Sequence, residues 1–335
     1  MGKENDRPES RIELLAPAGN AAIGMAAINC GADAVYIGPD RFSAREKAGN
    51  SIQDIETLCR YAHKYWGRVY ATVNTIFHDA ELPEARRLIR DLCHAGIDGV
   101  IIQDVGLLEM DLPDIALIAS TQMHNHTPER VAFLEAVGFF RVILARELSL
   151  EQIAAIRRET SVELECFVHG ALCVGYSGQC YLSHAIGGRS ANRGACAQPC
   201  RRRYSLRDGS GKTIAKDAHL LSLKDLNLSD HLDALLCVGI TSFKNRGAVE
   251  RPGLCGQYGR ALPQAFGCGF EKSWDAAPVI RDLPNRFHAG PGKNIQSGIH
   301  HFFYGRPEPG NGGIKNPQIF RPVHGNRFVC GQGFF

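Results

Sequence analysis

No run of eighteen apolar residues occurs in this 335-residue chain, and its opening MGKENDRPESR is polar. Neither a membrane-spanning helix nor a secretory leader is indicated, and a cytoplasmic location is expected. Charge of one sign is also scarce. The 38 Lys and Arg stand against 35 Asp and Glu, a net +3 that is no general footprint for nucleic acid. Several catalytic signatures are missing as well. There is no G-x-G-x-x-G and no G-x-x-x-x-G-K, which leaves dinucleotide and nucleoside-triphosphate chemistry unsupported. Neither H-E-x-x-H nor G-x-S-x-G occurs, so hydrolysis has no recognisable constellation, and no RRM, KH or zinc-finger module is visible.

Cysteine, by contrast, is plentiful: there are twelve. In a reducing compartment they are not expected to form a disulfide framework. Cys30, Cys59, Cys93 and Cys237 fall in apolar helical patterns and read as core residues. Five others crowd into residues 163–204, ELECFVHGALCVGYSGQCYLSHAIGGRSANRGACAQPCRRRY. Cys166 alternates with Leu164 and Val168 and reads as a packed strand position. Cys173, Cys180, Cys196 and Cys200 sit instead among glycines that let backbone curl around a ligand. Their spacing, Cys-x6-Cys, fifteen residues, then Cys-x3-Cys, matches neither a zinc ribbon nor a tandem ferredoxin run. Zinc, an iron–sulfur cluster, a disulfide pair and four unconnected thiols all stay open on spacing alone. Arg189, Arg193 and Arg201, with Arg202 and Arg203, are candidates for binding a phosphate or carboxylate, against the plainer reading of a solvated basic face.

From Ile12 onward, short β-like runs alternate with amphipathic segments. Strands are expected over 13–15, 34–37, 69–73, 99–102, 115–118, 142–144, 162–168 and 240–243, with helices in SIQDIETLCRYAHKYW, ELPEARRLIRDLCHAG, TPERVAFLEAVG and SLEQIAAIRRET. Eight such units predict an α/β fold, a (β/α)8 TIM-barrel-like domain with the Cys-rich loop inserted after strand 7, and an open doubly wound sheet is the alternative. Residues at the C-terminal ends of barrel strands line the active face. That rule gathers Asn20, Tyr36, Arg45, Asn74, Gln103, Asp104, Gln122, Arg146, Glu147, His169 and Lys244 at one mouth. Among them His169, Asn74, Gln122 and Arg146 are catalytic candidates, each weighed against a capping or rim role, with His169 favoured to orient the loop or a substrate.

The segments FVHGALCVGYSGQCYLSHA and GRSANRGACAQPCRRRYSL, followed by HLLSLKDL, resemble the signature region of the U32 "peptidase", or collagenase-like, family. Within it, IIQDVGLLEMDLPDIALIASTQ and ILARELSL resemble the branch that makes 5-hydroxycytidine in 23S rRNA. The resemblance spans about residues 11–244. It implies a [4Fe-4S] cluster on Cys173, Cys180, Cys196 and Cys200, and an oxygen-independent hydroxylation with prephenate as co-substrate. It further implies an rRNA substrate and cluster-assembly partners. The older peptidase label on the same motifs is the alternative. A barrel domain over 1–244, including the cluster loop 169–204, is therefore expected, followed by a tail over 245–335. The tail holds sixteen of 36 glycines and nine of 16 prolines. The family pattern continues after Ser242-Phe243-Lys244 with an isoleucine and E-G-R, whereas this chain gives Asn245-Arg246-Gly247. An irregular tail is expected, from a shifted reading frame in preference to genuine divergence, leaving the barrel short of its last helix and casting doubt on the activity of this chain.

Overall fold

The computed structural model describes residues 12–44, 49–246, 319–323 and 327–331. The chain opens with β1 (Glu13–Ala18), α1 (Ala21–Asn29), β2 (Ala34–Ile37), α2 (Ile52–His63), β3 (Arg68–Val73) and α3 (Leu82–His94). It continues with β4 (Gly99–Ile102), β5 (Ala116–Ala119), α4 (Pro128–Ala136), β6 (Arg141–Ile143), α5 (Leu150–Arg158) and β7 (Glu163–Gly170). The Cys-rich segment contains α6 (Leu182–Gly187) and is followed by β8 (Tyr204–Arg207), β9 (Thr213–Ala218), β10 (Leu226–Asn227), α7 (Leu232–Cys237) and β11 (Ser242–Arg246). Strands β1 to β7 pair in parallel in chain order, and β11 pairs in parallel with both β7 and β1. The sheet closes into an eight-stranded barrel, and β10 adds a ninth, antiparallel strand at the end of β7. The open sheet is thereby excluded.

Local chemistry explains the helices. Asn20, Ser51, Thr127 and Ser149 each accept a backbone N–H at a helix start, satisfying donors that have no partner inside the helix. Buried Ile55, Leu58, Cys59 and Ala62 of α2 recur at a helical spacing and face the sheet. Burying each Ile or Leu there contributes roughly 1.5–3 kcal/mol. Between β4 and β5 no α-helix forms; a 3-10 turn over Val105–Glu109 bridges the gap, in a connection interrupted by Gly106 and Pro113.

The larger core lies between the strands and the helices, while Leu15, Ala34, Tyr70, Ile101, Ile118 and Ile143 form a layer inside the barrel. An ion network fills the barrel beside that layer. Arg141, fully buried, donates to Glu13 (2.5 Å), Glu163 (2.8 Å) and Glu165 (3.0 Å). Tyr70 donates to Glu13 (2.8 Å), and Lys244 donates to Glu165 (2.9 Å) while lying 4.3 Å from the Tyr36 ring centroid. Such a network holds only because nearly every charge has a partner in the low-dielectric interior.

Two elements lie at or beyond the expected domain boundary. β11 runs two residues past the boundary drawn at Lys244. The C-terminal region also carries a regular element, since β12 (Ile319–Val323) and β13 (Arg327–Gly331) pair as an antiparallel hairpin, with Arg327 in register with Ser205 of β8. The rest of the tail lies outside the described residues. Among the described residues, no helix is long and apolar enough to cross a membrane.

Candidate functional site

The Cys loop leaves β7 at Gly170, which has a φ of +117° and lies so close to Arg246 that a Cβ would stand 2.0 Å from its carbonyl oxygen; only glycine fits there. The first half of the loop plugs into the barrel mouth. Fully buried Ser177 donates through N–H (2.9 Å) and Oγ (2.8 Å) to Glu147, and its Oγ accepts from the backbone N and the Nε of Arg146, both at 3.2 Å. Gly178 (φ +73°) lies so close to Gln122 that a Cβ would sit 1.9 Å from its carbonyl oxygen. The second half is held from another side. Arg193 forms a two-armed pair with Glu81 (2.6 and 2.9 Å) and donates to the Ile76 carbonyl (2.7 Å). Arg201 donates to Leu172 O (2.7 Å), Leu223 O (2.8 Å) and Ser222 Oγ (2.7 Å), tying the Cys200 segment to the residue before Cys173. Ala197 N donates to Ser183 Oγ (2.9 Å), which fastens the Cys196 segment to α6.

None of the four cysteines is in a disulfide, and Cys173, Cys180 and Cys200 feel their neighbours' thiols. Cys180 donates a hydrogen bond to Cys173, which lowers the Cys173 thiol to about 5 and raises that of Cys180. The Gly175 backbone and the positive charges of Arg146 and Arg246 also favour the Cys173 thiolate. Burial raises Cys200, with Cys173 and Cys196 adding to the effect. Gly175 is pressed against Cys180, since a Cβ there would stand 3.0 Å from the Cys180 Cβ. Among the described residues, no three His, Cys, Asp or Glu side chains stand close enough to hold a single metal ion. Cys166 lies in the core between sheet and helices, with its thiol pushed up by burial.

The residues picked out at the mouth have more varied duties than their shared position implies. Asn20 caps α1, and Asp104 accepts from Phe77 N and Gly106 N. Asn74 accepts from Ala44 N and donates to Ser120 Oγ; Gln103 donates to the Gln122 carbonyl, and Tyr36 to that of Asn245. Half-buried His169 is in register with Asn227 and Asn245, with its imidazole lowered by burial against the pull of Asp225. Arg189 donates to Ala195 O within the loop. Arg193 and Arg201 thus serve as loop struts, and Arg45 lies outside the described residues. Three participants were not picked out from sequence: Ser177, Glu81 and His124. The first has a signal in retrospect, because a lone small polar residue between two cysteines and two glycines is placed to anchor a turn. A pocket opens beside this plug, lined by Arg146, Glu147, Leu172, Cys173, Tyr176 and Leu223.

A closed parallel barrel with a Cys-rich insertion plugged into its mouth defines the class. The family model of peptidase family U32 matches residues 19–303, and the chain belongs to that family. It is 53% identical over 240 residues to the 23S rRNA 5-hydroxycytidine synthase of Escherichia coli, covering 72% of this chain and 37% of that protein. It is 34% identical to the tRNA hydroxylation protein P1 of Bacillus subtilis, covering 71% of this chain and 59% of that one. A collagenase of Porphyromonas gingivalis is 32% identical, with coverages of 72% and 62%. The chain spans between about a third and two thirds of the length of these relatives.

Proposed function

We propose that the chain hydroxylates a cytidine of 23S rRNA without molecular oxygen, using a [4Fe-4S] cluster held by Cys173, Cys180, Cys196 and Cys200, with prephenate as co-substrate. The carrying observation is the 53% identity to an rRNA hydroxycytidine synthase, and the hydrogen-bonded pair Cys173 and Cys180 beside the pocket at the barrel mouth supports it. The donor set fits a cluster. All four donors are cysteines, the favoured ligands of iron–sulfur centres, and the hydrogen bond from Cys180 favours the thiolate form of Cys173. Their segments are cross-tied through Arg201 and Leu172 although fifteen residues separate Cys180 from Cys196. When bound, the cluster supplies electron-transfer capacity at the mouth. The chain's own residues do the rest: Ser177 and Glu147 fix the loop, Glu81 fixes Arg193, and Arg146 and Glu147 face the pocket where substrate enters.

Expression in a strain lacking its own rRNA hydroxycytidine synthase, read by mass spectrometry of rRNA nucleosides, tests this reading. Hydroxycytidine should appear; its absence while the protein accumulates in folded form refutes the proposal. A second reading, peptide hydrolysis, has the collagenase relative behind it and the depressed Cys173 thiol as its nucleophile. Cleavage of gelatin by the purified chain, lost in Cys173→Ser, would favour it.

A further inference from the structure

Beside the Cys loop, the pocket at Glu147 is lined by the ring of Tyr176, against which two further rings gather that the loop-fastening contacts do not explain. Tyr176 lies three residues after Cys173 and leaves 47% of its surface exposed. Its ring stands 5.7 Å from that of His124, tilted by 34°, and His124 stacks flat on His126 at 3.8 Å with a 9° interplanar angle. His124 is held there at a cost. Its backbone is left-handed (φ 58°), a conformation unfavourable for a residue with a side chain. Asn125, fully buried, enforces it by donating to Ser120 O and Ile143 O, both at 2.9 Å. Nε2 of His124 is shut off from solvent without a hydrogen bond, 3.4 Å from Glu147 Oε1. Glu147 itself accepts two hydrogen bonds from Ser177, which leaves its carboxylate with accepting capacity toward the pocket.

We propose that this pocket receives the target base of a single-stranded or extruded pyrimidine nucleotide. The base stacks on the exposed ring of Tyr176, which the His124–His126 pair braces from its side, and Glu147 accepts a hydrogen bond from a base N–H. An exposed aromatic ring next to a hydrogen-bond acceptor is a means by which proteins hold an unstacked base. The proposal rests on the RNA reading above and adds the residues that take the base.

The test uses anaerobically purified full-length chain and two short ribose-phosphate oligomers, one wholly abasic and one bearing a single central cytosine. The wild type should bind the cytosine-bearing oligomer about ten-fold or more tightly than the abasic one, the range of one stacked base. Tyr176→Ala should lose that preference while keeping its iron content and circular dichroism, and Tyr176→Phe should restore it. The salt dependence of binding should be the same in all three, because phosphate contacts are untouched. Retention of the preference in Tyr176→Ala overturns the proposal; if rRNA from the complemented strain still carries hydroxycytidine, only the slot is wrong. A wild type with neither the preference nor hydroxycytidine overturns both.

Discussion

Replacing Arg141 by methionine removes the guanidinium on which three carboxylates converge inside the barrel. Lys244 remains on Glu165 at 2.9 Å, and Arg68 reaches Glu13 at 3.5 Å. With Arg141 present, three cations face three carboxylates; without it, the interior carries one uncompensated negative charge. Breaking a buried pair by deleting one partner costs about 3–5 kcal/mol. For a domain of this size, ~2–4 °C per kcal/mol turns that into a fall in Tm on the order of 10 °C. The pH dependence gives a second reading. Burial acts to raise the Glu165 carboxyl, but Lys244 and Arg141 outweigh it and hold it below its ordinary 4.5. Its contribution is therefore present above that value and lost as pH falls through the lowered one. In Arg141→Met, Glu163, already raised by burial, loses the guanidinium that opposes that rise and titrates higher still, so protonation relieves the variant. The stability gap between wild type and variant should be widest at pH 8 and narrow toward pH 5. Calorimetry at both pH values measures it. A variant within ~1 kcal/mol of wild type at pH 8, or a gap that does not change with pH, refutes the account of the interior.

Three further outcomes are expected around the loop. Gly178→Ala should dislodge the plug, because its Cβ would meet the Gln122 carbonyl at 1.9 Å; iron per chain should fall several-fold while far-ultraviolet circular dichroism is kept, and unchanged iron would contradict the close approach. Glu81, held at about 2 by hydrogen bonds from Arg193 and the His78 backbone, stabilises the loop above its ordinary 4.5 and loses that effect as pH falls toward 2. Limited proteolysis of the loop should therefore quicken in acid, and Glu81→Gln should show the same sensitivity at pH 7. Cys166→Ser should lower stability by roughly 1–3 kcal/mol through a buried hydroxyl, yet keep its iron.

The barrel was legible because its signals are local. All eight expected strands form within one or two residues of their runs, apart from longer extensions at the ends of β1 and β11, and Ser51, Thr127 and Ser149 cap the helices they precede. The interior network was not legible. Glu163 and Glu165 alternate with apolar residues in ELECFV, a pattern that reads as a solvated strand face until closure turns that face inward against Arg141. The arginines beside the cysteines misled for a related reason. A basic cluster near thiols suggests a substrate anchor, whereas the partner of Arg193 is Glu81, 112 residues away, a separation that no local pattern carries. His124 escaped notice because its importance lies in a left-handed backbone and a ring stack, which only the fold displays.

The claim that the loop is a cluster site is tested most directly by iron and acid-labile sulfide analysis of the full chain purified without oxygen, alongside Cys200→Ser. The account predicts about four irons and four sulfides per wild-type chain, with both sharply reduced in the variant. One zinc per chain without sulfide, or iron that is indifferent to Cys200, would contradict it.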